Sequence, residues 1–116
     1  MRILRGIVSA AMLLGLTVQA VAQELPVLGQ GNVSCSSWVD RRAGATAEAD
    51  TMTAWVLGYI TAFNQYASDL LADVSAGQEP GELTAWLDEY CRENATANLY
   101  QASAALVEEL RQSTPQ

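Results

Sequence analysis

The sequence predicts an all-α fold: a small four-helix domain with one long central helix, stapled by one disulfide. Three observations carry this. Apolar residues recur at i, i+3, i+4 and i+7 through most of the chain after residue 34, and no stretch alternates in the two-residue rhythm of a strand. Gly, Pro and Asn interrupt that helical rhythm in places that divide it into four. The chain has only two cysteines, Cys35 and Cys91, one near each end of the periodic region.

The N-terminal residues have a different character. Arg2 and Arg5 precede an uncharged apolar run that closes on Ala20-Val21-Ala22, a small-x-small pattern suited to signal peptidase. The run has about 17 residues, against roughly 20 for a membrane span, and no basic stop-transfer cluster follows it. Residues 1–22 are therefore expected to be a signal peptide cleaved after Ala22. The mature protein is then expected in the periplasm, with no membrane association after cleavage. Residues 23–33, "QELPVLGQGNV", mix Pro and Gly with little periodicity and read as a flexible N-terminal arm. The helical domain is expected over residues 34–112, followed by a short tail, 113–116.

Within that domain, "SCSSWVDRRAGA" predicts a short helix from about residue 35 to 43, capped by Ser34 and stopped at Gly44. The next segment has the strongest signal. Met52, Trp55, Val56, Tyr59, Ile60, Phe63, Ala67, Leu70, Leu71 and Val74 predict about six turns of amphipathic helix, capped by Asp50 or Thr51. Gly58 inside it costs about 1 kcal/mol relative to alanine, which close approach of another helix would explain. Asn64, near the edge of the apolar face, is expected to bond locally or to solvent. "SAGQEPGE" ends the segment. A third helix is expected from Glu82 to Arg92 on Leu83, Trp86, Leu87, Tyr90 and Cys91. A fourth should be capped by Asn94, with Leu99, Ser103, Leu106 and Leu110 inside and Tyr100 and Val107 beside them.

The cysteines suit a structural role. In an oxidising compartment two cysteines normally pair, and there is no C-x-x-C redox motif. Joining Cys35 to Cys91 would close a loop around the whole second helix, for roughly 4 kcal/mol in the chain-entropy treatment. Small domains have about 5–15 kcal/mol in total, so the bond would be a large share.

Composition excludes much chemistry. The chain has 116 residues, 13 carboxylates, no histidine, and arginine as its only basic residue, with a net charge of −7. Cleavage would leave Arg41, Arg42, Arg92 and Arg111 as its cations and bring the charge to about −9, which disfavours nucleic acid and anionic lipid as partners. Without histidine or lysine no serine has a side chain to activate it as a nucleophile. No Gly-rich phosphate loop is present. Asp69/Asp73 and Glu89/Glu93 stand four apart, a spacing that reads as a solvated helix face. The expectation is a protein that is not an enzyme, with no cofactor and no metal, whose partners are other proteins.

Three stretches suggest a family. "SCSSWVD", "DTMTAWVLGY" and "LDEYCRENATANLY" resemble the HdeA/HdeB family of periplasmic acid-stress chaperones. In HdeB-type members a C-x-x-[FW] stretch opens the first helix, as Cys35 to Trp38 would here. A later Y-C is followed by polar residues and a Leu-Tyr pair, as Tyr90 to Tyr100 would be. The resemblance implies that Cys35 and Cys91 form the family disulfide. It also implies that Trp38, Trp55, Tyr59, Phe63, Trp86 and Tyr90 belong to the packed helices and supply apolar surface for unfolding client proteins at low pH. A homodimer is compatible with it. "GYITA" and "LTAWLDEYCRENATANLYQASAALVEEL" also resemble the periplasmic immunity proteins of the Tai/Rap type. That resemblance implies a specific protein-binding module using an acidic surface against a basic partner. With no histidine, any pH response must lie near carboxylate values, around pH 4.

Overall fold

In the computed structural model, which describes residues 25–67 and 73–113, the chain folds as four α-helices with no strand among the described residues. The expected signal peptide, Leu70, Leu71 and residues 114–116 lie outside the described residues. The helices are α1 (Cys35–Ala43), α2 (Ala47–Ala62), α3 (Pro80–Glu93) and α4 (Leu99–Ser113). The all-α class, the four helices and the Cys35–Cys91 disulfide are as the sequence predicts.

Each helix begins where a side chain can satisfy its first free N–H groups. Ser34 Oγ accepts from Ser37 N at 3.2 Å and starts α1. α1 ends at Gly44 as expected, but Gly44 keeps a right-handed φ of −83°, and Ala45 takes the positive φ, 47°. Thr46 then caps α2 by accepting from Ala49 N at 3.2 Å. The expected caps Asp50 and Thr51 lie within the helix instead, because the left-handed Ala45 turns the chain early enough for Thr46 to serve. Pro80 enters α3, where its missing N–H costs nothing, and Glu82 reaches back to Glu79 N at 2.9 Å.

The start of α4 corrects another expectation. Asn94 closes α3, its N–H and its Nδ2 both donating to Tyr90 O at 2.9 Å. Asn98 caps α4: its Oδ1 accepts from Gln101 N at 2.8 Å, and Gln101 Oε1 accepts from Asn98 N at 2.9 Å. Two asparagines four apart could each serve either helix, and only the path of the chain between them decides.

α2 is the longest helix at 16 residues, shorter than its apolar spacing predicts. Its α-helical part ends at Ala62, and Phe63–Ala67 form a wider π-helical turn. Val74 is buried but stands in a turn, with its N–H donated to the side chain of Asn64 at 3.0 Å. Asp73 accepts from Ser75 N at 2.9 Å, a local bond that competes with helix. Gly58 is exposed, and a Cβ built there meets nothing within 4 Å, so no helix among the described residues explains it.

The segment read as a flexible arm is folded over its described part. Gly29–Asn32 form a 3₁₀ turn that packs on α2 and α4, and Gly31 is buried. Trp55 Nε1 donates to Leu28 O at 3.0 Å. A Cβ on Gly31 would overlap the Trp55 ring and Val27, so glycine is required for this approach. Composition hides the docking because the contact is made by absent side chains rather than present ones.

One core joins the helices. Cys35 and Trp38 of α1, Met52, Val56 and Ile60 of α2, Leu83, Leu87 and Cys91 of α3, and Leu99, Ala102, Leu106, Val107 and Leu110 of α4 pack with Val74. α1 lies on α3, α3 on α4, and α2 on α4 and the 3₁₀ turn. Leu99, Leu106, Leu110 and Ser103 form the buried stripe of α4 that the spacing predicts, and Ser103 Oγ donates to Leu99 O at 2.8 Å.

Candidate functional site

The disulfide anchors the most constrained corner. Cys35 and Cys91 are both fully buried, with Cα atoms 4.7 Å apart at a sequence separation of 56. Around it the starts of α1 and α4 bind each other's flanking chain. Cys35 N donates to Ala97 O at 2.8 Å, and Leu99 N donates to Val33 O at 2.8 Å. The bond thus joins α1 to α3 where the α3–α4 connection already satisfies the N–H groups that a helix start leaves open.

One to two turns along the helices from the disulfide sits a charged cluster. Asp88 on α3 accepts from Trp38 Nε1 at 2.8 Å, Arg42 Nε at 2.9 Å and Arg42 Nη2 at 2.8 Å. The Arg42 guanidinium also lies over the Trp38 ring, 5.4 Å from its centroid. Burial by itself would push the Asp88 carboxyl up. The hydrogen bonds from Arg42 and Trp38, with the charges of Arg42 and Arg92, outweigh it and hold the group below its ordinary value. Arg42 is raised in turn, chiefly by its bond to Asp88. Val39, Arg42, Ala43, Asp88 and Arg92 line a shallow open cleft of about 300 Å³ beside the cluster.

A second anion holds the end of α2. Asp73 Oδ1 accepts from the backbone and hydroxyl of Ser75 and from Asn64 Nδ2 at 2.8 Å, while Asn64 Oδ1 receives Val74 N. These bonds, the Ser75 hydroxyl's foremost, hold the Asp73 carboxyl below its ordinary value. Asn64 therefore does bond to nearby protein groups, as expected, but across the turn rather than along its own helix.

The aromatic residues singled out in the sequence separate into three places. Trp38 is fully buried in the core. On α2, Trp55 stacks on Tyr59 at 5.8 Å, and Tyr59 meets Tyr100 of α4 edge-on at 5.8 Å. Phe63 is half-buried at the start of the π turn. On α3, Trp86 and Tyr90 stack at 5.3 Å with rings 15° apart. Leu25, Leu28 and Tyr66 are largely exposed, Tyr66 at 91%.

Sequence reasoning missed Asp88, Arg42, Asp73 and Ser75 as interacting groups. Asp88 stands three positions before Cys91 on one helix, which hints at a place near the disulfide, but nothing local names Arg42 as its partner. Each described arginine is tied to an acid of this chain: Arg41 to Glu48, Arg42 to Asp88, Arg92 to Glu89, and Arg111 to Glu108. Among the described residues no group of His, Cys, Asp and Glu is placed to hold a metal ion, and no helix is long and apolar enough to cross a membrane. What the arrangement can do chemically is bind through apolar and acidic surface and respond to protonation at two carboxylates. Comparison with protein-family models, with curated proteins and with solved structures finds no match for this chain.

Proposed function

We propose that this is an exported protein-binding module of the HdeA/HdeB acid-stress chaperone kind. It opens at low pH and holds unfolding periplasmic proteins on the apolar faces of its helices. One observation carries this reading: the fold uses the anionic form of two carboxylates, Asp88 and Asp73, to close its seams. Both carboxyls sit below their ordinary values, so the native state binds protons more weakly than the unfolded chain. Their stabilisation is complete above about pH 4 and is lost as pH falls through the folded values. Such a response leaves the protein closed near neutrality and loosens it only in strong acid.

The disulfide determines what can loosen. It keeps α1 on α3 at any pH, so release of Asn64, which holds Val74 N, from Asp73 frees the C-terminal end of α2 first. Movement of α2 would uncover Met52, Val56 and Ile60 together with the α4 surface beneath them. Clients would then be held on aliphatic surface, with Trp55, Tyr59 and Phe63 at its margin.

The test uses the oxidised mature chain. Binding of an apolar-surface dye should stay flat from pH 8 to 5 and rise below about pH 4, with protection of an aggregating client rising in the same window. An Asp73→Asn/Asp88→Asn variant should bind more dye at neutral pH and show a flatter pH response. Opening at pH 3 without client protection at any stoichiometry would sink the proposal.

A further inference from the structure

The outer face of α3 combines a stacked aromatic pair with a row of glutamates, of which Glu82 also accepts from Glu79 N and Glu89 also pairs with Arg92. Glu82, Trp86, Glu89, Tyr90 and Glu93 fall within a sector of about 100° at helical spacing, beside the buried Leu83, Leu87 and Cys91. Trp86 and Tyr90 are stacked and partly exposed, while the three glutamates around them are exposed. Glu93 has no ion pair among the described residues. The indoles of Trp38 and Trp55 donate to Asp88 and to Leu28 O, whereas that of Trp86 has no hydrogen-bond acceptor among the described residues.

We propose that this face docks an arginine-rich segment of a basic protein while the domain is folded. Guanidinium groups would lie against the Trp86–Tyr90 stack and pair with Glu82, Glu89 and Glu93. Charge complementarity selects this occupant. The chain carries −7 overall, and of its four described arginines only Arg92, paired with Glu89 at 2.7 Å, reaches this face, so the three glutamates leave it with an excess of negative charge. A second copy or a nucleic acid brings more negative charge and is repelled. Arginine is favoured over lysine because a planar guanidinium stacks on aromatic rings and forks onto carboxylates, which a compact ammonium does not.

The surface requires intact α3 and is separate from acid opening, so it is tested at pH 7 on the oxidised chain. Labelled octa-arginine and octa-lysine peptides are titrated at low salt, with the three indole N–H resonances as reporters. Octa-arginine should bind the tighter of the two and shift the Trp86 indole signal while leaving those of Trp38 and Trp55 in place. Glu89→Gln/Glu93→Gln should weaken binding by about tenfold, while Glu108→Gln/Glu109→Gln on α4 should change it by about twofold or less. Trp86→Leu/Tyr90→Leu should abolish the preference for arginine. No binding of octa-arginine, equal losses from the two glutamine pairs, or an unmoved Trp86 resonance would each overturn the proposal, and the last is read on the unaltered chain.

Discussion

At its N-terminal half α2 places Ala49, Met52 and Val56 in the core, and Trp55 is covered by the 3₁₀ turn at Gly29–Asn32. None of these contacts involves an ionisable group. At its C-terminal end the helix widens into the π turn, Tyr66 stands 91% exposed, and closure rests on Asn64, Asp73 and Ser75. Apart from the exposed Arg41–Glu48 pair at its first turn, the first end is held by apolar burial and close fit, which pH does not alter. The second is held by hydrogen bonds to an anion, which acid removes. One helix therefore carries an attachment made by packing and another made through a carboxylate.

The comparison can be broken most severely at the staple. Replacing Cys35 and Cys91 with alanine should cost about 4 kcal/mol, because the bond closes a loop spanning 56 positions that contains all of α2. Thermal melting followed by circular dichroism checks this, and reduction of the unaltered protein should give the same loss. With the staple gone, acid should loosen α1 as well as α2, and the two ends would cease to differ.

A smaller effect is expected at the fitted end. Gly31→Val should cost about 2 kcal/mol, since a side chain there overlaps the Trp55 ring and Val27. The loss should be the same at pH 7 and pH 4, and Trp55 should become more accessible to a fluorescence quencher. A strongly pH-dependent loss would mean that this end is not held by packing alone.

Asp88→Asn comes next, at about 1–2 kcal/mol at pH 7, because 22% of the side chain remains exposed and water screens part of the interaction. The Asp88 carboxyl is depressed in the fold, so its contribution is present above the unfolded value and declines as pH falls through the folded one. Melting temperatures of variant and unaltered protein should therefore converge as pH falls through the folded value. Asp73→Asn should have the smallest global effect, below about 1 kcal/mol, because the group is exposed. Its signature is local: the Val74 and Ser75 amides should exchange faster with solvent at pH 7, while those of Met52 and Val56 do not change.

Much of the fold can be read from the chain because helix formation is periodic and local. The apolar spacing gives the buried Leu83, Leu87 and Cys91 of α3 and Leu99, Ser103, Leu106 and Leu110 of α4, though Trp86 and Tyr90 stay partly exposed, and Ser34 and Gly44 mark the ends of α1. The same logic overextends α2, since Val74 is buried in a turn and an apolar residue continues the helical count whether or not the backbone does. Gly58 misleads in a similar way: a helix interior without a side chain suggests a neighbour, and the described residues supply none. The clasps were not readable. Arg42 meets Asp88 across 46 positions and Asn64 meets Asp73 across a turn, and no local pattern encodes either distance.

The sequence by itself determined the all-α class, four helices, the buried aliphatic positions of α3 and the inner stripe of α4, and two cysteines suited to pairing. These follow from side-chain period, chain-breaking residues and composition, all of which act over a few residues or none. The tertiary structure alone decided that Trp55 needs Gly31, that Asn98 rather than Asn94 starts α4, and that Trp38 and Arg42 converge on one carboxylate. Those outcomes depend on how helices cross and where loops return, which the sum of many weak contacts settles only once the core has formed.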